Sequence, residues 1–256
     1  MEDSMPLILA AAGRGTRLGA VGRDIPKPLM RDPVQELPIL HHLYRRLEMA
    51  QPLEHVIIVG ASDSSVVDQL VAFTERFSFE RKPEISIVRG ARRGVGFSFL
   101  LGIEHAITLG LDHAVISVAD SVASSYKSIV NSQNHVTIGV TNSTPPKNKS
   151  YTRINVTHKR GIVPQEESAN GVSKGNVAGI YNLSAEALPL YVEVFRDEIK
   201  RGRYSDALNS QGEYRVSWVW RELQARGCLV GTADVGELVE VNFTEDLQRF
   251  RNFLRE

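Results

Sequence analysis

Short apolar runs alternate along this chain with stretches in which apolar residues recur at helical spacing, and the alternation predicts strands and helices taking turns. Leu7–Ala12, His55–Gly60, Glu84–Arg89 and His113–Asp120 are the runs, each read as a buried strand. Between them, Pro38–Ala50 sets Leu40, Leu43, Leu47 and Ala50 on one face with Arg45, Arg46 and Glu48 outside. Asp63–Phe77 predicts a second helix with Ser62 as its N-cap, and a glycine-bearing turn after Arg89 leads into a third. The order β-α-β-α-β-α-β predicts a three-layer α/β fold with a mostly parallel central sheet.

Beyond Asp120 the pattern changes. Thr137–Thr141 predicts a strand, Asn142–Ser150 a polar loop containing prolines, and Tyr151–Glu167 a hairpin about Lys159, Arg160 and Gly161. A second polar loop is expected over Asn170–Asn176, a strand over Val177–Leu183 and a long amphipathic helix over Ala185–Lys200. Tyr204–Leu208 and Val216–Arg226 suggest a helical carboxyl region carrying Trp218 and Trp220. The carboxyl end predicts a helix, capped by Thr244, that runs through Phe250 to Leu254. No repeat, low-complexity tract or linker is visible, so residues 1–256 read as one domain, with the segment from roughly 142 to 230 inserted around the core on the acceptor side.

Composition narrows the function classes. The chain has 256 residues, 42% of them hydrophobic, which suffices for a sizeable core. Lysine plus arginine equals aspartate plus glutamate at 30 each, so no global field favours nucleic acid or an anionic membrane. The single cysteine, Cys228, permits no internal disulfide and suits a reducing compartment; packing at a strand start is its expected role. With no leader pattern at the amino terminus and no apolar run long enough to span a bilayer, a cytoplasmic protein is expected. His41 and His42 are adjacent, so they do not share a helix face, which argues against a metal pair.

Chemistry concentrates after the first strand. Gly13-Arg14-Gly15-Thr16-Arg17 is a turn whose glycines let backbone N–H groups approach a ligand, and Arg14, Arg17 and Lys27 surround it with positive charge. A polyphosphate is the simplest occupant. The dinucleotide fingerprint fails because Gly19 falls one residue late, and no Gly-Lys-Ser/Thr follows Gly15. Attack on the α-phosphorus of a nucleoside triphosphate joins two anions and expels pyrophosphate, so cations are needed at both ends. An arginine beside the loop can hold the leaving phosphates in a fork, and a lysine on the stiff Pro26-Lys27-Pro28 segment can act as a point charge. Asp120, ending an apolar strand, falls on the ligand-binding edge of an open α/β sheet and is the natural Mg²⁺ ligand.

The stretch Gly13, Gly15, Thr16, Arg17, Leu18 followed by Pro26, Lys27, Pro28, Leu29 resembles the signature of the nucleotidyltransferase superfamily that includes the sugar-phosphate and phosphocholine nucleotidyltransferases. The resemblance implies a Rossmann-like nucleotidyltransferase fold and nucleotide contacts from Ala11, Ala12, Gly13, Arg14, Gly15, Thr16, Gly94 and Ser98. It further implies Arg17 on the leaving pyrophosphate, Lys27 between the reacting phosphates, and Mg²⁺ on Asp120 and Asn242. Lys174 and Gly179, with Glu167, are the nearest counterparts of the family's acceptor-side residues. Where hexose-specific relatives carry Leu-Gly-Thr-Ala, this chain has Arg93-Gly94-Val95-Gly96, and Phe97-Ser98-Phe99-Leu100 resembles the Tyr-Ser-Leu of phosphocholine cytidylyltransferases. Phe97 and Phe99 also suit a core. Trp218 and Trp220 could wall a pocket for a quaternary ammonium through cation–π attraction, although tryptophans more often serve as core.

The expected enzyme therefore couples a nucleoside triphosphate, CTP in preference, to a small phosphorylated or phosphonate acceptor. A sugar-1-phosphate nucleotidyltransferase is the alternative, and a non-catalytic nucleotide-sensing domain a further one. A glycosyltransferase would show Asp-x-Asp where this chain has Val118-Ala119-Asp120-Ser121. No nucleic-acid or membrane partner is expected, and a homo-oligomer is compatible with the sequence.

Overall fold

A computed structural model describes residues 4–11, 25–61, 64–90, 94–143, 153–157, 161–165, 172–201, 216–241 and 244–255. Its first half is the expected alternation: β1 (Met5–Ala10), α1 (Ile39–Glu48), β2 (Leu53–Ala61), α2 (Ser64–Arg76), β3 (Glu84–Gly90), α3 (Val95–Thr108) and β4 (Ala114–Val118). A short β5 (Ser121–Ala123), a one-turn α4 (Lys127–Val130) and β6 (Val136–Thr141) follow. The hairpin of β7 (Arg153–Thr157) and β8 (Gly161–Gln165) then leads to β9 (Val172–Leu183), α5 (Ala187–Arg201), α6 (Ser217–Ala225), β10 (Val230–Asp234), β11 (Leu238–Glu240) and α7 (Thr244–Phe253).

Among the described residues, the central sheet runs β10-β6-β9-β4-β1-β2-β3, with the β7–β8 hairpin attached to β9. All strands along that path are parallel except β9, which lies antiparallel between β4 and β6. β1, β2 and β4 are buried on both faces, so they read as continuous apolar runs, whereas the edge strands β3 and β10 are partly exposed; the inner strands still sort their residues with a period of two. Leu7, Leu9, Val56 and Ile58 enter one core layer with α1, α2 and α7, while Ile8, Ile57 and Val59 enter the other with α3, α5 and α6. Two helical layers thus sandwich one sheet, the predicted three-layer arrangement. No helix among the described residues is long and apolar enough to cross a membrane.

Several boundaries differ from expectation for physical reasons. β4 ends at Val118, so Asp120 stands in the turn beyond it, released from the ladder. The polar stretch predicted as a loop over 170–176 belongs from Val172 onward to β9, because pairing with β7 and β6 overrides its weak strand propensity. The carboxyl region is not wholly helical: Val230–Asp234 joins the sheet edge parallel to β6. Trp218 and Trp220 are buried among Phe195, Tyr191 and Tyr181, which settles them as core. Phe97 and Phe99 are core as well, and Cys228 is buried just before β10.

Candidate active site

The carboxyl ends of β1 and β4 lie side by side, joined where the Ala119 N–H donates to the Ala10 carbonyl at 3.2 Å. Ala11, the first residue past β1, is buried and donates its N–H to the Val59 carbonyl at 2.9 Å. Ala12, Gly13, Arg14, Gly15, Thr16 and Arg17 lie outside the described residues. The chain returns at Ile25, and Pro26 initiates a single 3-10 turn, Lys27–Leu29, in which the Leu29 N–H donates to Pro26 and the Met30 N–H to Lys27. Proline on each side of Lys27 fixes φ at both flanks, so the lysine stem leaves the backbone in one direction.

That direction is toward Asp120. Lys27 Nζ donates to Asp120 Oδ2 at 2.7 Å, with side chains only 10% and 22% exposed. The sequence separation is 93 residues, so the pair is a product of topology alone. A lysine and a carboxylate so enclosed hold each other's charge, and losing either leaves the other poorly solvated.

Asp120 is also held from below. It immediately precedes β5, which pairs antiparallel with β11 in a separate two-stranded ribbon, Ser121 opposite Glu240 and Ala123 opposite Leu238. Continuing that register, the Val241 N–H donates to the Asp120 carbonyl at 3.1 Å. Asn242 itself is outside the described residues, but its chain neighbour is thus fastened to the aspartate. The strand before the last helix was expected from the family resemblance; nothing local in the sequence signalled its partner.

The remaining candidates lie on two flanks. Gly94 caps α3 with φ of 86°, a conformation that glycine takes without strain, and Ser98 sits one turn in, buried, its Oγ 3.4 Å from the Gly94 carbonyl. Gly179 occurs at the irregularity of β9 with φ of 73°, and a Cβ there would stand 2.8 Å from Val118 Cγ2, two residues from Asp120. Lys174 lies in the backbone of β9 beside β7, its side chain outside the description, and Glu167 is outside the described residues. The fold brings Ala11, Lys27, Asp120 and Gly179 to one end of β1 and β4, whereas Lys174 is carried outward on the β7–β9 extension.

A buried carboxylate that sequence reading missed supports the Lys27 segment. Asp32 accepts the N–H groups of Gln35 at 2.6 Å, Val34 at 2.8 Å and Leu37 at 3.0 Å, and His42 Nε2 lies 2.9 Å from its Oδ2. Burial by itself raises its pKa, but the Gln35, His42, Val34 and Leu37 hydrogen bonds together outweigh it, and the net shift is downward. His42 packs edge-on against Phe250 of α7, so the turn after Lys27 and the helix after Asn242 share one anchor. Asp-Pro-Val-Gln in the sequence was a legible turn signal, but its burial was not.

The lysine–aspartate pair stands at the carboxyl ends of the central strands, the ligand-binding edge of a parallel α/β sheet. The sequence model described as nucleotidyl transferase matches residues 5–176, and the chain belongs to that family. It is a nucleotidyltransferase. No curated protein matches the sequence. Among solved structures, a UDP-glucose pyrophosphorylase complexed with UDP-glucose superposes with a TM-score of 0.73 at 15% identity, covering 99% of each chain. A UTP-bound UGPase from Acinetobacter baumannii gives 0.70 at 18%, covering 99% of this chain and 95% of that one. The inositol-1-phosphate CTP transferase from T. maritima gives 0.67 at 17%, covering 96% and 93%. At these identities the likeness is one of fold.

Proposed function

We propose that this chain transfers the nucleotidyl group of a nucleoside triphosphate, CTP in preference, to a small phosphorylated or phosphonate acceptor with release of pyrophosphate. The observation that carries the reading is the Lys27–Asp120 pair at the strand ends, with Val241 on the Asp120 carbonyl. The donors fit Mg²⁺, which takes one or two protein oxygens and fills its octahedron with phosphate and water; Asp120 and Asn242 would hold it. When bound, the ion neutralises phosphate charge around the reacting phosphorus.

Lys27 then serves as the preorganised cation at the α-phosphate, and Arg17 holds the leaving group. An ionised acceptor oxygen forms the new bond to the α-phosphorus while the bond to the β-phosphate oxygen breaks. The electron pair leaves with pyrophosphate. An acceptor already ionised at neutral pH needs no general base. Gly179 lets the backbone of β9 approach the acceptor side, and Lys174 supplies charge farther out.

CTP is favoured because Gly94-Val95-Gly96-Phe97-Ser98 departs from the hexose pattern, and a CTP-using transferase stands among the similar folds. A sugar 1-phosphate with UTP is the second reading, favoured by the two uridylyl-specific folds of equal or greater likeness. Pyrophosphate release with Mg²⁺ across the common nucleoside triphosphates, each paired with phosphocholine, 2-aminoethylphosphonate, inositol 1-phosphate and glucose 1-phosphate, tests both. Signal with CTP and a phosphonate or choline-type acceptor supports the first. Signal confined to a sugar 1-phosphate replaces it with the second.

A further inference from the structure

The β5–β11 ribbon would be loose on its own, since a three-residue pairing is far too short to hold its register. What fixes it is the turn Asp234–Leu238 that feeds β11, and that turn is closed by backbone groups together with hydroxyls from other parts of the chain. The Val235 N–H donates to the Val140 carbonyl at 2.9 Å and the Gly236 N–H to Asp234 Oδ1 at 2.8 Å. Glu237 N–H donates to Ser124 Oγ at 3.0 Å and Leu238 N–H to Ser143 Oγ at 2.9 Å. Of the carbonyls, Val235 accepts from Ser125 N–H and Ser124 Oγ, and Glu237 accepts from Ser124 N–H. The Gly236 carbonyl accepts from Thr141 Oγ1 at 2.6 Å.

Thr141 is the central member. It is the last residue of β6, wholly buried, and its one hydroxyl proton is committed to Gly236. Its oxygen accepts the Ser143 N–H at 3.0 Å and lies 3.0 Å from Ser143 Oγ, so it also orients the hydroxyl that caps Leu238. Ser143 is tied in turn to β9, where Asn176 Nδ2 donates to its carbonyl at 3.0 Å, and Asn176 pairs with Arg153 of β7. One hydroxyl therefore joins the strand entering the acceptor-side segment to the ribbon that ends on Asp120.

We propose that Thr141 is a positioning residue of the transfer reaction: through Gly236 and Ser143 it sets the β5–β11 ribbon, and with it the Val241 bond to Asp120, so that the Asp120 carboxylate is held for a divalent ion. The proposal rests on the nucleotidyl-transfer reading of the site. Thr141 touches neither substrate nor metal; it acts through β11. Removing its hydroxyl takes that donor from the part-buried Gly236 carbonyl and frees the turn to shift, which loosens the hold of Val241 on Asp120.

Wild-type, Thr141→Val and Thr141→Ser proteins are to be titrated with Mn²⁺, alone and with CTP, following the bound ion by electron paramagnetic resonance, and assayed for pyrophosphate release over a Mg²⁺ series. Thr141→Val is expected to weaken Mn²⁺ binding by about 10-fold, the usual scale for a residue that orients a metal ligand. The Mg²⁺ concentration for half-maximal rate rises in parallel, the nucleotide KM at saturating Mg²⁺ stays within about twofold, and Thr141→Ser restores both. Should Thr141→Val fail to fold, Ser143→Ala, at a partly exposed position, is expected to move Mn²⁺ affinity the same way by a smaller factor. Unchanged Mn²⁺ affinity in a folded Thr141→Val or Ser143→Ala protein, or failure of Thr141→Ser to restore it, overturns the proposal. A wild-type protein that binds Mn²⁺ yet releases no pyrophosphate with any pair defeats the transfer reading instead, and the resonance titration still decides the role of Thr141.

Discussion

On one side of β4 lie β1, β2 and β3, parallel strands that each run into a turn and then a helix; on the other lie β9, β6 and β10, with the β7–β8 hairpin attached. In the first half, chemistry sits in short contiguous stretches at strand ends, such as Pro26-Lys27-Pro28 and Gly94–Ser98. In the second half, groups that meet come from distant positions: Thr141 with Gly236, Asn176 with Ser143, Gly179 with Val118. Local pairing in sequence therefore builds the first half, whereas the second depends on contacts between distant positions.

Substitutions sharpen this contrast, taken here in descending size of effect. Lys27→Ala is expected to lower turnover by about 10²-fold or more, as loss of one preorganised charge does, measured by pyrophosphate release at saturating substrates. Near wild-type turnover would remove the parallel half from the chemistry. Gly179→Ala forces a side chain to positive φ and against Val118, a strain of about 1–3 kcal/mol; we expect an acceptor KM about tenfold higher with the nucleotide KM within about twofold. Equal changes in both constants would erase the division between halves. Trp220→Phe should cost about 2 kcal/mol in thermal or denaturant unfolding and leave the acceptor KM unmoved, since the ring is core; a selective rise in that KM would return it to the pocket wall.

The smallest effect is one of pH. Asp32→Asn should destabilise the protein by about 1 kcal/mol at neutral pH, read by denaturant unfolding. Because the folded-state pKa of Asp32 is lowered below the unfolded value of about 3.9, its stabilisation is fully present above about pH 4 and is lost as pH falls through the folded value. The gap between wild type and variant should accordingly narrow below about pH 4. A gap that widens toward acid would mean that the carboxylate is not the species that the Gln35, Val34 and Leu37 N–H groups hold.

The parallel half was legible in the sequence because its signals are local. Apolar runs gave β1 to β4, helical spacing gave α1 to α3, and an aspartate after an apolar run marked the ligand edge, although the strand stopped two residues short of it. The antiparallel half was legible only in outline. β9 begins in Val172-Ser173-Lys174-Gly175-Asn176, polar residues whose strand character comes from the partners on either side, and β10, Val-Gly-Thr-Ala-Asp, has too few apolar residues to stand out as a strand. Lys27 meeting Asp120 could be expected only through resemblance, since 93 residues separate them; the clasp around Gly236 and the cage around Asp32 had no pattern to announce them.

The antiparallel placement of β9 also dictates an order of assembly as the chain leaves the ribosome. β1 to β4 can pair as soon as they emerge, but the free side of β4, Ala114 to Ser117, waits for Ile180 to Leu183. Through that interval an apolar strand edge stands open, and β6 has neither β9 nor β10 to pair with. Nascent chains halted short of residue 183 should be the aggregation-prone species, and those long enough to seat β9 should be protected.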